Sequence, residues 1–465
     1  MKKTKIIATV GPATSTKEKI KEMILNGVDV FRINLSHSNH EYSEEIIKTI
    51  RELNKELNRN IGILIDSKGP EIRVKIDSQY ININKDQYIT ISNKNDSILS
   101  TTYKNLHKDL KPNEILILDE GSIYLRVIEI KNEEILCKSE NDGIIYNNKS
   151  LSAPSSNLNI PFLNKNDIED IRFASKMQAD FIALSFVRCA DDLLDVNDIL
   201  ISEKDEHMQI IAKIESKCAL EDIDNIIKIS DGIMIARGDL AIEIELEKVP
   251  NIQKRFVKKA QEKNKICIVA TEMLASMESK PRPTRAEVSD VANAVFDNVD
   301  ALTLSGETAV GKYPIETIKM MNKIIIETEK NFDYDDMMRP KVETPDITTV
   351  ISSNVVNAAN ILDAKAIIAS TLSGYTAKKI SSFRPECIIF TTTPNIKTAT
   401  SLSLNWGIYP VVIDKLKTTD EIIERSVLEA KKALELKEKD VVIITGGFPF
   451  KNTKNTNFMK IEEIE

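Results

Sequence analysis

The sequence predicts an α/β protein built on a (β/α)₈ TIM barrel, with a small all-β domain inserted after the third strand and an α/β domain at the C-terminal end. Three observations carry this. Eight short apolar runs alternate with longer helical patterns, and continuous apolar strands separated by helices indicate a parallel sheet covered on both faces. The helical period vanishes once, between about residues 71 and 160. A further strand–helix alternation begins near Thr344.

The eight runs are Lys5–Val10, Val30–Leu35, Ile61–Asp66, Phe181–Val187, Ile210–Ile214, Gly232–Ala236, Ile266–Ala270 and Ala301–Leu304. Amphipathic stretches such as Thr16–Asn26 and Ser43–Leu57 lie between them. Eight such units close naturally into a barrel; an open doubly wound sheet is the alternative. In the interruption, Tyr80–Ile83, Tyr88–Ile91, Ile115–Leu118, Ile123–Ile130 and Glu134–Lys138 are punctuated by Asn, Lys, Asp and Gly, and Pro70 and Pro161 bracket the segment. The C-terminal region offers a helix over Thr349–Leu362 and strands at Ala366–Ser370, Cys387–Thr391, Gly407–Ile413 and Asp440–Thr445. The expected division is a barrel over 1–70 and 161–343, an insertion over 71–160 and a C-terminal domain over 344–465. A chain of 465 residues is too long for one ordinary core, which agrees with several domains.

Composition narrows the function. The formal net charge of -8 argues against non-specific nucleic-acid binding, which needs an excess of positive charge. The five cysteines are scattered and form no Cys-x-x-Cys pair, so buried free thiols in a reducing cytoplasm fit better than a disulfide framework or a zinc site. No apolar signal segment follows the basic start, and no stretch approaches a membrane span.

Barrel active sites lie at the C-terminal strand ends. Six of these ends are polar: Arg32-Ile-Asn34-Leu-Ser36-His37, Asp66-Ser67-Lys68-Gly69-Pro70-Glu71-Ile-Arg73, Lys213-Ile-Glu215, Arg237-Gly238-Asp239, Thr271-Glu272 and Ser305-Gly306-Glu307-Thr308. One polar end is usually a solvated rim; six imply a convergent site. Glu215 and Asp239 offer two hard oxygen ligands of the kind Mg²⁺ takes together with water and substrate oxygens. Asn34, Ser36, Asp66 and Ser67 form a second oxygen set with one formal charge, suited to a monovalent ion. Arg32, Arg73, Lys68 and Lys213 bring cations toward the same opening, as phosphoryl transfer requires. His37 could touch a nucleotide phosphate or be a plain rim histidine. Trp406, Met273 and Met277 read as packing residues, and Lys451–Asn457 as a solvated loop.

These strand ends resemble the pyruvate kinase family. The match includes Thr4-Lys-Ile-Ile-Ala-Thr-Val-Gly-Pro-Ala, Arg32-Ile-Asn-Leu-Ser-His, Asp66-Ser-Lys-Gly-Pro-Glu-Ile-Arg, Ala212-Lys-Ile-Glu and Ala236-Arg-Gly-Asp-Leu. It continues through Lys280-Pro-Arg-Pro-Thr-Arg-Ala-Glu-Val-Ser-Asp-Val-Ala-Asn-Ala-Val and Leu304-Ser-Gly-Glu-Thr-Ala. The resemblance implies phosphoryl transfer from phosphoenolpyruvate to ADP, with Mg²⁺ (or Mn²⁺) on Glu215 and Asp239 and K⁺ on Asn34, Ser36, Asp66 and Ser67, the last through its backbone carbonyl as well. It implies that Lys213 stabilises the phosphoryl group in flight and that Arg32 and Arg73 bind phosphate oxygens. Gly238 and Asp239 would present amides to the substrate carboxylate, Thr271 would sit near the reacting carbon, and Ser305 with Glu307 would belong to the proton path. Asn34, His37 and Arg73 would face the nucleotide, and the inserted domain would close as a lid. A glutamate at the Glu71 position goes with potassium dependence in the family; the plainer reading is that Glu71 pairs with a nearby arginine. Thr371, Ser373, Gly374 and Thr376 match an effector-phosphate site, and the family forms tetramers.

Three single positions and one turn depart from the family pattern. Ser67 stands where threonine is usual, Ala241 where glycine is common and Glu272 where glutamine is common, and the Thr445-Gly446-Gly447 turn is poorer in glycine. Two other readings remain open at this point. One is a magnesium-dependent mutase or carbon–carbon lyase acting on phosphoenolpyruvate or pyruvate, which would also use paired carboxylates. The other is a non-catalytic metabolite-binding regulator, which would be expected to have lost Lys213, Glu215 or Asp239.

Overall fold

A computed structural model describes all residues except 95, 96, 155, 157, 335–345 and 448–454. The expected boundary near residue 344 and residues 451–454 of the expected loop lie outside the described residues. Eight parallel strands close into a barrel, which removes the open-sheet alternative. In chain order they are Lys5–Thr9, Val30–Asn34, Gly62–Asp66, Phe181–Leu184, Gln209–Ile214, Gly232–Ala236, Ile266–Ala270 and Ala301–Leu304.

Residues alternate between two faces along each strand. Outward positions such as Ile6, Phe31, Ile63, Ile182 and Ile233 join the core beneath the surrounding helices. Inward positions Ile7, Val30, Leu64, Phe181, Ile211, Met234 and Ala301 fill the barrel interior, and Leu404 from the C-terminal region plugs its lower end. A closed barrel therefore has a packed interior below and room for function only at the strand tips.

The lower end carries a fourfold device. Asp29, Asp180, Asp231 and Asp300 each stand immediately before an even-numbered strand. Each carboxylate accepts an amide from the preceding odd strand: Ile6 at 2.8 Å, and Ile63, Ile210 and Cys267 at 2.9 Å. The amide of each aspartate donates back to the carbonyl of the same residue. Two of the four also meet cations from the C-terminal region. Lys397 Nζ lies 3.5 Å from Asp180, and Arg384 Nη1 lies 3.1 Å from Asp300. The Trp406 amide donates to Asp300, and Trp406 is fully buried, as its reading as core required.

The insertion has its own apolar core, which includes Val74, Leu99, Leu116, Val127 and Ile135. Its main sheet runs in the order Leu151–Ser152, Ile115–Leu118, Ile123–Lys131, Glu134–Ser139, Tyr88–Ser92. The C-terminal region forms a five-stranded sheet in the order Ile408–Val412, Ile388–Thr393, Ala366–Ser370, Val441–Gly446, Phe458–Glu463. The last strand is antiparallel and was not expected from the sequence. Within the expected solvated loop, Thr456 is fully buried, a correction to that reading. The cysteines are all free, but only Cys137 and Cys267 are buried; the other three are half-buried.

Candidate active site

The inward parity that fills the barrel with Ile and Leu turns polar at the upper tips. It delivers Thr9, Arg32, Asn34, Asp66, Lys213 and Glu215 from four neighbouring or nearby strands. Thr9 pairs in register with Arg32, and Asn34 with Asp66. Arg32 Nε donates to Asp66 Oδ2 at 2.6 Å, and its Nη1 donates to Thr9 Oγ1 at 3.0 Å. Lys213 Nζ lies 2.9 Å from Glu215 Oε1 and 3.3 Å from Asp66 Oδ1.

Burial and charge oppose each other here. Burial alone would raise Asp66, but Lys213 and Arg32 outweigh it and hold the carboxyl below its usual range. Burial alone would lower Lys213, yet Asp66 and Glu215 outweigh it and hold the ammonium firmly charged. Glu215 goes the other way. Burial pushes it up to about 7; Lys213 opposes this and Asp239 adds to it. Asp239 is likewise raised, by burial first; Lys213 opposes this, and the negative charge of Glu120, Asp66 and Glu71 adds to it.

Among the described residues no group of three or more His, Cys, Asp or Glu gathers to hold a metal unaided. A pair of enclosed carboxylates, each disfavoured in its charged form, still suits a divalent ion that takes its remaining ligands from water and substrate. Glu215 and Asp239 fit that description. In the second oxygen set, Asn34 Oδ1 accepts the Ser36 amide at 3.0 Å, and both Asp66 oxygens face cations. Ser67 is buried, and its carbonyl accepts the Ser185 hydroxyl at 2.7 Å. His37 is exposed beyond the second strand.

Several expected residues sit differently. Arg73 does not converge on the tips; its Nε and Nη2 clasp Glu71 at 3.0 and 2.7 Å, and its Nη1 donates to the Asn148 carbonyl. Lys68 is exposed, and its charge acts on Asp167 and Asp170. Glu307 is buried, with its oxygens accepting the Leu274 and Ser305 amides at 3.1 and 2.8 Å. That carboxylate braces two loops instead of facing an opening. The Gly238 amide is already donated to Thr271 Oγ1 at 2.8 Å, so Gly238 offers no free amide to a carboxylate. Thr271 itself has φ +72°, costly for a β-branched residue, and its hydroxyl donates to the Ala270 carbonyl. Met273 and Met277 are buried, as packing residues should be.

A cavity of about 170 Å³ lies where the insertion meets the barrel. Glu71, Glu120 and Ser150–Ala153 line it from the insertion, and Glu215, Asp239, Cys218 and Glu243 from the barrel. Glu243 was not singled out from the sequence. Burial pushes it up to about 7, opposed by the Lys217 amide and aided by Asp239.

In the C-terminal region, Thr371–Gly374 joins the strand Ala366–Ser370 to the helix Tyr375–Ser382. Gly374 has φ +82°, and a Cβ there would lie 3.0 Å from Leu402. Thr371 Oγ1 accepts the Gly374 amide, and buried Thr376 shares a hydrogen bond with Thr456. Ser373 is exposed.

A closed barrel with a lysine, an arginine and three carboxylates at its tips, beside a separate β region, defines a barrel enzyme with its site at the C-terminal strand ends. The chain belongs to the pyruvate kinase family, so it is an enzyme and a kinase. Residues 1–318 match the family model "Pyruvate kinase, barrel domain", and residues 349–462 match "Pyruvate kinase, alpha/beta domain". A protein named pyruvate kinase from Staphylococcus epidermidis is 41% identical over 473 residues, spanning 100% of this chain and 81% of the relative. A pyruvate kinase from Clostridium acetobutylicum is 37% identical over 473 residues, spanning 100% of both. One from Staphylococcus aureus is 40% identical over 480 residues, again with 81% of the relative covered.

Proposed function

We infer that the chain transfers the phosphoryl group of phosphoenolpyruvate to ADP, giving pyruvate and ATP, the last step of glycolysis. The observation that carries this is Lys213, held between Asp66 and Glu215 at the strand tips. A firmly charged ammonium in that place suits a phosphoryl group whose negative charge is spread over three oxygens in transit. Mg²⁺ (or Mn²⁺) on Glu215 and Asp239, with K⁺ on Asn34, Ser36, Asp66 and Ser67, would supply the further positive charge that two anionic substrates need. Lys213 stabilises the moving group, and Arg32 binds its oxygens while Thr9 and Asp66 fix the guanidinium. Thr271 and the Asp239 amide orient the substrate near the reacting carbon. Ser305 stands on the proton path, with Glu307 bracing its backbone. Asn34, His37 and Arg73 serve the nucleotide, and Arg73 reaches it once it leaves Glu71.

The division into a catalytic barrel (1–70 and 161–343), a lid (71–160) and a regulatory domain (344–465) belongs to the same reading. So do an effector phosphate at Thr371, Ser373, Gly374 and Thr376, a homotetramer, and a cytoplasmic enzyme with no nucleic-acid or membrane partner. No helix among the described residues is long and apolar enough to cross a membrane. The test is a coupled assay of pyruvate formation from phosphoenolpyruvate and ADP, with and without Mg²⁺. Rapid formation only with the metal is expected; none under either condition overturns the reading.

A further inference from the structure

Ser185 is the first residue after the fourth barrel strand, Phe181–Leu184. It shares the inward parity of Phe181 and Ala183 and is 4% exposed. Its hydroxyl touches three groups of the site. Lys213 Nζ donates to Ser185 Oγ at 2.7 Å. The same oxygen lies 2.7 Å from the Ser67 carbonyl and 3.3 Å from Asp66 Oδ1. A hydroxyl has one proton and two lone pairs. The proton goes to the nearer acceptor, the Ser67 carbonyl, which leaves a lone pair facing the ammonium.

The backbone around Ser185 is held just as closely. The Ser67 amide donates to the Ala183 carbonyl at 2.9 Å, and the Ser185 amide to Ser67 Oγ at 3.4 Å. Gly69 has φ +69°, and a Cβ there would stand 2.7 Å from the Ser185 carbonyl oxygen. Only glycine lets the two strand tips approach this far.

We propose that Ser185 is a positioning residue that couples the monovalent-cation oxygens to Lys213. This rests on the pyruvate kinase reading of the site. The Ser67 carbonyl and Asp66 belong to the oxygen set assigned to K⁺, and the hydroxyl that touches both also holds the ammonium. A shift of the Ser67 carbonyl toward a cation is therefore passed through one hydroxyl to Lys213. Without the hydroxyl, Lys213 keeps only carboxylate partners and leans further onto Glu215, a residue assigned to the divalent ion.

The experiment compares the full-length wild type with Ser185→Ala and Ser185→Thr. Turnover and KM for phosphoenolpyruvate are measured at saturating Mg²⁺ and K⁺. Melting temperatures are measured without substrate in KCl and in choline chloride at equal ionic strength, because an ion bound only by the folded state raises the melting temperature. The alanine variant is expected to lose about 10-fold or more in kcat, the scale of one charge-assisted hydrogen bond, with KM changed less than about threefold. Its KCl-specific rise in melting temperature should shrink, and threonine, which keeps the hydroxyl, should recover at least part of both. Wild-type turnover together with a wild-type KCl rise in Ser185→Ala overturns the proposal, as does a folded Ser185→Thr as impaired as alanine. If Ser185→Ala does not fold, Ser185→Cys, of similar shape with a weak donor, replaces it under the same criteria. A wild type that forms no pyruvate overturns the functional reading instead, and the KCl comparison still judges Ser185.

Discussion

Lys213 Nζ lies 2.9 Å from Glu215 Oε1, an ion pair between two residues of one strand tip. Positions two apart on a strand share a face, so the pair follows from the Lys-Ile-Glu spacing. Both side chains are largely enclosed, and the ammonium is held among Glu215, Asp66 and Ser185 instead of extending into solvent.

Replacing Lys213 with methionine keeps the length and removes the charge. A charge needed most in the transition state affects turnover more than substrate affinity. Turnover should fall about 10²-fold or more, with a smaller change in KM. Steady-state kinetics on the folded variant checks this; near-normal turnover would remove Lys213 from the assigned role.

Potassium dependence is the second expectation. Glu71 lines the cavity near Asp239, and its carboxylate is clasped by Arg73 at 2.7 Å. Turnover should fall strongly when K⁺ is replaced by a bulky organic cation at matched ionic strength. Glu71→Lys places an ammonium at the same rim and releases Arg73, so the variant should lose much of that dependence. Equal wild-type rates in both buffers would dismiss the monovalent site as an essential element.

Regulation is tested at Ser373. Thr376 is buried and bonded to Thr456, so an aspartate there would disturb the fold, whereas Ser373 is exposed. Ser373→Asp should repel a phosphate and abolish activation by sugar phosphates or mononucleotides while leaving effector-free activity intact. An effector acts only through unequal affinity for two states. If no phosphometabolite shifts the wild-type response to phosphoenolpyruvate, the domain is structural.

Glu243 predicts a pH effect on stability. Burial pushes the Glu243 carboxyl up to about 7, above its ordinary value of 4.5, so the native state prefers it protonated. The stability this provides is fully present below about 4.5 and is lost as pH rises through about 7. Glu243→Gln cannot ionise. It should be more stable than the wild type above pH 7 by about 1–3 kcal/mol, and its stability should fall less between those limits. Urea unfolding at pH 5 and pH 8 reads the difference; parallel behaviour of the two proteins would refute it.

All eight barrel strands were legible because each is a short, mainly apolar run set between helical patterns, and their polar ends marked the candidate site. What stayed hidden depended on three-dimensional contacts. Ser185 lay inside the run Phe181–Val187 and looked like part of a strand. Its parity with Phe181 and Ala183 was the available signal, since it placed a hydroxyl on the inward face at a tip. Glu307 sits at a strand end like Glu215, and only its two amide partners distinguish a brace from a ligand. The strand Phe458–Glu463 was missed because it lies at a sheet edge, where Met459, Lys460 and Ile461 in succession are exposed and leave no alternating apolar pattern.

The four aspartates beneath the barrel are alike in their amide bonds but not in their cations. Asp180 and Asp300 precede the fourth and eighth strands, which stand opposite each other in the closed ring. They receive Lys397 and Arg384, while Leu404 enters between them like the pin of a plug. Asp29 is served by Lys2 and Lys5 from its own side. A quarter turn of the C-terminal region would take Arg384 from Asp300 and leave Asp180 only Arg51 of the barrel as a cation, and a half turn would exchange a long flexible ammonium for a planar guanidinium. The socket thus has one orientation. Transplanting this barrel onto a foreign C-terminal partner would require Lys397, Arg384 and Leu404 to travel with it as a set.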